Sequence, residues 1–335
     1  MSEASGVANI VNFEVLGRHV SDASRADYLC RSATLWRAYI KMDADPTHVG
    51  FAEWLLSRKP ELRGSTWRLY RRAAEYWLST VDAPQAARDI LRDDATNPVV
   101  ETLPRRKAAR RTSALKQKRI PEEDFQKLFV YLKVFCKSEN AGLALQWLHA
   151  AILTGARPCE WSASRLAGTR LTLATAKFST WRCLGESRTL DLSGLSATEM
   201  AVVAAMVEAG QTMGEHGTYE LMQERVSAVL YQACRRLWPR GDRHYPLYSA
   251  RHQANSNAKG GLPLREVSAI LGHSSTRTAS RSYGRRKAAW DPEVRPAPPV
   301  PASDDVDRVR SVPSAVYRRV PKEDLGGNLP ITPHP

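Results

Sequence analysis

The chain has 335 residues, 43% of them hydrophobic and 25% charged, with a net charge of +14 and a pI near 9.8. That length accommodates two ordinary domains, each with a core of its own, and the composition is that of a globular protein. It has no run of eighteen apolar residues, which excludes a membrane-spanning helix, and Met1 to Val15 lacks the basic-then-apolar order of a secretory signal.

Five cysteines (Cys30, Cys136, Cys159, Cys183, Cys234) stand apart, with no pair at metal-ligand spacing, and the histidines form no His-x-x-x-His array. The expectation is reduced thiols, a cytoplasmic location, and neither metal nor cofactor. The positive excess calls for a polyanionic partner, and without a lipid signal that partner is nucleic acid.

Residues 1–92 read as a helical domain. Within Thr66–Leu78, Trp67, Tyr70, Ala74 and Trp77 recur at helical spacing and form a core stripe. Arg68, Arg71 and Arg72 fall largely elsewhere, either solvated or facing phosphates. Residues 93–119 read as a basic linker, with eight basic residues and no acid between Arg105 and Arg119. Such a segment suits a crossing of the phosphate backbone.

A second domain, 120–290, opens with a helix start at Pro121-Glu-Glu123, followed by Phe125, Leu128, Phe129 and Leu132. A helix through Leu143–Leu153 stops at Gly155. Arg170–Phe178 and Arg188–Leu192 read as two short strands. Ser196 and Glu199 form a capping box, and further helices cover Val226–Leu237 and Leu264–Leu271, the latter ending at Gly272. The predicted fold class is mainly α: a helical N-terminal domain, then a mostly helical second domain with a small antiparallel sheet. The last 45 residues, 291–335, hold ten of the twenty prolines and read as a disordered or partner-bound tail. Its more apolar Val306–Val320 stretch is a candidate for docking on another subunit.

Four islands of the second domain carry chemistry-bearing residues. The first is Leu153-Thr-Gly-Ala-Arg157-Pro-Cys-Glu160. Lys177 is the second, at the end of the first predicted strand. The third is Leu247-Tyr248-Ser-Ala-Arg251-His-Gln253. The fourth is Ile270-Leu-Gly-His273, followed ten residues later by Tyr283 in Arg281-Ser-Tyr-Gly-Arg-Arg286. A phosphodiester is an anion whose five-coordinate transition state needs charge neutralisation. Arg157 and Arg251 offer planar forks of donors for that purpose. Tyr283, flanked by Arg285, Arg286 and Lys287, is the candidate nucleophile, and Glu160 the candidate partner orienting the first loop.

In order and content these islands resemble the phage-integrase family of tyrosine recombinases. The resemblance covers roughly Ile120 to Trp290, and more loosely the helical first domain as a core-binding domain. It implies site-specific DNA recombination through a covalent 3′-phosphotyrosine at Tyr283, with Lys177 as the acid for the leaving 5′ oxygen and His273 on the phosphate. It implies double-stranded DNA as partner, four protomers on paired sites, accessory directionality proteins and a bacterial cytoplasm, with no metal or nucleotide consumed.

Two features depart from the family pattern. Tyr248 stands where a histidine is usual, three residues before Arg251, and the gap from His273 to Tyr283 is one residue longer than the commonest spacing. A neutral phenol is a poor proton acceptor, so Tyr248 is read as supporting the phosphate. The rival readings are a non-catalytic architectural or regulatory DNA-binding protein with the same fold and a type IB topoisomerase-like enzyme. The set of arginines, lysine, histidine and tyrosine speaks against the first, the compact size against the second.

Overall fold

The computed structural model describes residues 22–93, 117–175, 184–241, 243–282 and 285–312. Lys177, Tyr283, most of the basic linker and the chain beyond 312 lie outside the described residues. The chain divides into two compact units, Met1–Ala114 and Leu115–Pro335.

The first unit is helical: α1 (Asp22–Tyr39), α2 (His48–Ser57), α3 (Gly64–Thr80) and α4 (Gln85–Asp93). Thr47 caps α2 by accepting from the Gly50 N–H at 3.0 Å. Trp67 and Ala74 of the expected stripe are fully buried, and Tyr70 and Trp77 pack against the same core. Trp36 of α1 gathers the rings of Tyr39, His48, Phe51 and Trp77 at 5.1–5.6 Å between centroids. Arg71 proves to be a structural arginine. Its Nη1 donates to Glu75 at 2.9 Å and to the Leu91 carbonyl at 3.0 Å, tying α3 to the end of α4.

The second unit opens with α5 (Glu122–Val130), whose acidic first turn complements the helix dipole. Buried Asp124 in that turn accepts from the Tyr245 hydroxyl and, at 2.6 Å, from Arg243. Next comes α6 (Ala141–Thr154), with nine of its fourteen residues buried, as expected of a helix apolar all round. It ends at Gly155, whose φ of +70° is the left-handed cap that glycine adopts without strain. A 3₁₀ turn, Pro158–Ala163, follows.

A four-stranded antiparallel sheet is then laid down in the order β1 (Arg165–Ala167), β2 (Arg170–Ala174), β3 (Ser187–Asp191), β4 (Val300–Pro301). Leu171 pairs with Leu190, and Leu190 in turn with Pro301. The sequence pattern yields the β2–β3 hairpin; β1 and β4 are additions, too short for a period of two to reveal.

Helix α7 (Ala197–Glu215) begins with the expected capping box: Glu199 N–H donates to Ser196 Oγ and Ser196 N–H to Glu199 Oε2. Its Gly210 lies against the 3₁₀ turn so closely that a β-carbon there would stand 2.5 Å from the Trp161 carbonyl oxygen. The helices α8 (Tyr219–Leu237), α9 (Leu247–Gly261), α10 (Leu264–Ile270) and α11 (Thr276–Ser282) complete the unit with α12 (Ser303–Asp307). The fold is thus mostly helical with a small antiparallel sheet.

The expectation of a disordered tail over 291–335 is corrected for residues 291–312. Pro296–Pro299 lie along a seam lined by α6, α9 and α10. Val300–Pro301 pair with β3 at the sheet edge, where a residue without an N–H is tolerated. Ala302 N–H donates to Thr189 O, and buried Asp305 accepts from the Thr189 N–H and, at 2.6 Å, from Arg308. Beyond α12, Val309 packs with Leu184 and Ala269, and Arg310 pairs with Ser275 just ahead of α11. Proline content argues against an independent core, but these prolines coat a core that already exists.

Candidate active site

Arg157 follows the α6 cap and opens the 3₁₀ turn. Its backbone N–H donates to Glu160 Oε2 at 2.8 Å and its Nη1 to Glu160 Oε1 at 2.5 Å. The Glu160 side chain is wholly buried, whereas that of Arg157 keeps 13% exposure. Glu160 also receives a two-pronged contact from Arg188 of β3, Nη2 at 2.7 Å and Nη1 at 3.2 Å. Arg188 Nε donates to the Ile270 carbonyl at 2.7 Å.

Arg251 projects from the second turn of α9 and is fully buried. Its Nη1 donates to Gly155 O at 2.5 Å and its Nη2 to Leu271 O at 2.6 Å, with His273 Nε2 at 3.3 Å from Nη2. Glu160 Oε2 lies 4.0 Å from Arg251 Nη1. One guanidinium therefore joins the ends of the first and fourth islands. The two glycines of these islands make the approach possible: a β-carbon on Gly155 would stand 3.0 Å from Leu271 Cδ2. One on Gly272, at φ +64°, would stand 3.3 Å from the Arg188 side chain.

Three guanidiniums and a buried imidazole thus surround one carboxylate. Burial pushes the Glu160 carboxyl up, but Arg188, by charge and hydrogen bond, and then Arg251 and Arg157 outweigh it and hold the group far below its usual range. His273, 4% exposed, is held far below the ordinary imidazole value by burial and then by Arg251, Arg157 and Arg188. It is neutral at pH 7, and with Arg251 donating to Nε2 the proton is assigned to Nδ1. A cationic cluster with one built-in carboxylate is suited to a further anion, such as a phosphoryl group.

Tyr248 lies in the first turn of α9, one turn before Arg251, 40% exposed, its ring edge-on to that of His252 at 5.4 Å. His252 is pushed down to about 4 by burial and by Lys118, Arg251 and Lys259.

These shifts set a pH dependence. A histidine whose folded pKa lies below its unfolded value near 6.5 gives stability present above pH 6.5 and lost as pH falls toward the folded pKa. Glu160 adds a loss of the same sign below the ordinary glutamate value of 4.5. The urea midpoint is expected to fall between pH 7 and pH 4.5, with a further loss below that. In His252→Asn the slope between pH 6.5 and 4 is expected to be shallower; an unchanged slope would remove His252 from the account.

Of the residues singled out in the sequence, Arg157, Arg251 and His273 meet around Glu160, and Tyr248 stands on the same helix as Arg251. Glu160, read as the partner of the first loop, is buried and accepts from the Arg157 N–H and Nη1. Lys177 and Tyr283 lie outside the described residues. Arg188 was missed. Its signal is the strand alternation: Arg188 shares the inward face of β3 with Leu190, and an arginine on an apolar face needs a buried partner.

No family model matches the chain, and no curated protein matches it. Among solved structures it is similar to a lambda integrase dimer bound to a COC′ core site, with a TM-score of 0.45 and 15% identity over 82% of this chain and 75% of that one. It is also similar to the XerH site-specific recombinase bound to a palindromic difH substrate in a post-cleavage complex. There the TM-score is 0.40 and identity 14%, over 77% of this chain and 74% of that one.

Proposed function

We propose that this protein is a tyrosine-type site-specific DNA recombinase. The observation that carries the reading is the convergence of Arg157, Arg251 and His273, from three separate stretches of sequence, around the buried Glu160. In the proposed reaction the Tyr283 phenolic oxygen attacks phosphorus as its proton passes to solvent water. Arg157 and Arg251 bear on the charge of the five-coordinate phosphorane, and His273 hydrogen-bonds the phosphate. The phosphorus–5′ oxygen bond breaks, and Lys177 supplies the proton that the leaving oxygen takes up. The 3′-phosphotyrosine conserves the ester, so rejoining is the same displacement run with a 5′ hydroxyl as nucleophile. Arg188 supports the cluster through Glu160, and Tyr248 borders the phosphate.

Four protomers on two duplex sites, with accessory proteins setting direction, complete the proposal, in a bacterial cytoplasm. The net charge of +14 supports duplex binding that weakens steeply with salt.

The test is incubation with nicked duplexes from DNA flanking the protein's own gene, in EDTA, followed by denaturing gels. Wild type is expected to form a covalent adduct that Tyr283→Phe does not. An adduct that persists in the variant moves the nucleophile to another residue. Tight binding with no adduct on any candidate site would favour an architectural protein.

A further inference from the structure

Helix α9 carries more than Arg251. Three polar side chains farther along it reach the chain on both sides of Tyr283. Lys259 Nζ donates to the Ala279 carbonyl at 2.7 Å, four residues before the tyrosine. Gln253, fully buried, donates from Nε2 to the Ala288 carbonyl at 2.9 Å, five residues after it. Asn257, 4% exposed, accepts on Oδ1 from Trp290 N–H at 3.0 Å and from Gln253 Nε2 at 2.8 Å.

The same network reaches the start of the unit. Gln253 Oε1 accepts from Ile120 N–H at 3.1 Å, and Trp290 Nε1 donates to the Ile120 carbonyl at 2.8 Å. Both backbone groups of Ile120 are therefore held by the helix that presents Arg251 and by the segment that follows Tyr283.

The chemistry of these contacts is costly for mere packing. A lysine ordinarily leads its ammonium to water. Lys259 instead sets it on a backbone carbonyl, partly buried, and burial lowers its pKa. Buried amides stabilise a fold only when their donors and acceptors are matched. The match for Gln253 and for the Asn257 carbonyl oxygen exists only with Ala288, Trp290 and Ile120 in these places.

We propose that Lys259, Gln253 and Asn257 are positioning residues for Tyr283, fixing both flanks of its segment to the helix that bears Arg251. This rests on the recombinase reading for what Tyr283 does. The three act through the backbone at 279 and 288–290: Lys259 sets the approach to the tyrosine, the amide pair its exit. A nucleophile misplaced by about 1 Å loses on the order of a hundredfold in rate.

The test uses the full chain with Lys259→Met, Lys259→Arg and Gln253→Met. It combines hydrogen exchange by mass spectrometry, duplex affinity, and single-turnover cleavage of a nicked duplex at saturating protein. In Lys259→Met and Gln253→Met, exchange is expected to accelerate in peptides covering 276–290 and to stay unchanged in α6 and the sheet. Cleavage is expected to fall roughly ten- to a hundredfold with duplex affinity unchanged, and Lys259→Arg to restore it. Unchanged exchange over 276–290 in both variants would overturn the proposal. So would accelerated exchange across the whole unit with affinity and cleavage falling together, which is a structural role alone. A wild-type chain that forms no adduct on any substrate defeats the recombinase reading and the role of Tyr283 with it. The exchange comparison then still decides whether the three side chains hold the segment.

Discussion

Replacing Glu160 by glutamine is expected to destabilise the second unit by about 3–5 kcal/mol, the range for removing one partner of a buried ion pair. The magnitude follows from the surroundings. Glu160 and Arg188 are both wholly buried, and Arg157 and Arg251 add two further cations within 4.0 Å of the carboxylate. Glutamine preserves shape but removes the charge and turns an N–H₂ toward guanidinium donors. The loss is read from the urea midpoint of the full chain at pH 7. Glu160→Met combined with Arg188→Leu removes the pair together, and paired removal with apolar replacements is often near neutral. The double variant is therefore expected to recover much of the lost stability. It is not expected to recover cleavage, because Arg157 loses both bonds to Glu160 that set its direction. Equal stability of the wild type and Glu160→Gln would mean that the cluster is solvated and not a buried ionic centre.

The second large effect falls on rate. Arg251→Lys is expected to reduce adduct formation by about 10²–10³ while duplex affinity stays close to that of wild type. Lysine keeps the positive charge, so a requirement for charge alone would leave the variant active. Geometry is what it lacks. The guanidinium spans Gly155 O, Leu271 O and His273 Nε2 at once, and a single ammonium on a flexible stem has no planar fork with which to do so. Single-turnover cleavage of a nicked duplex, set beside a binding curve, separates the two effects. Cleavage at wild-type rate in Arg251→Lys would place the phosphate elsewhere in the unit.

Much of the site was legible in the sequence because its parts are local. A glycine that ends a helix, with an arginine two residues on, is visible in Thr154-Gly-Ala-Arg157. Leu271-Gly-His273 repeats the device, and both glycines do adopt positive φ. The capping box at Ser196 and the stripe on α3 are likewise short-range patterns. Arg188 was not legible as a site residue, because its partner lies 28 residues away and its strand was read only as rich in Thr, Leu and Arg. The linkage of Arg251 to Gly155 spans 96 residues, and only the three-dimensional path of α9 brings those ends together. The tail was misread for a related reason. Composition reports whether a segment can build a core, whereas residues 296–312 draw their order from surfaces supplied by α6, α9, α10 and β3. Tyr248 shows the limit from the other side: its place one turn before Arg251 on α9 follows from the sequence, but a phenol there carries no inherent statement of its part.

Strand β4 has a consequence for how copies of this protein behave in a crowded solution. An antiparallel sheet with a bare outer strand is a template on which another chain can extend the ladder. Here the strand that pairs with the outer side of β3 has only two residues, Val300 and Pro301, and the second of them has no N–H to offer a newcomer. Cleavage of the chain ahead of Val300 would leave the body of the unit in place yet uncover β3, including the Thr189 N–H and carbonyl now engaged by Asp305 and Ala302. The outcome of such clipping would be a sticky particle and not an unfolded one, so the last residues of the sheet serve colloidal stability as much as conformational stability.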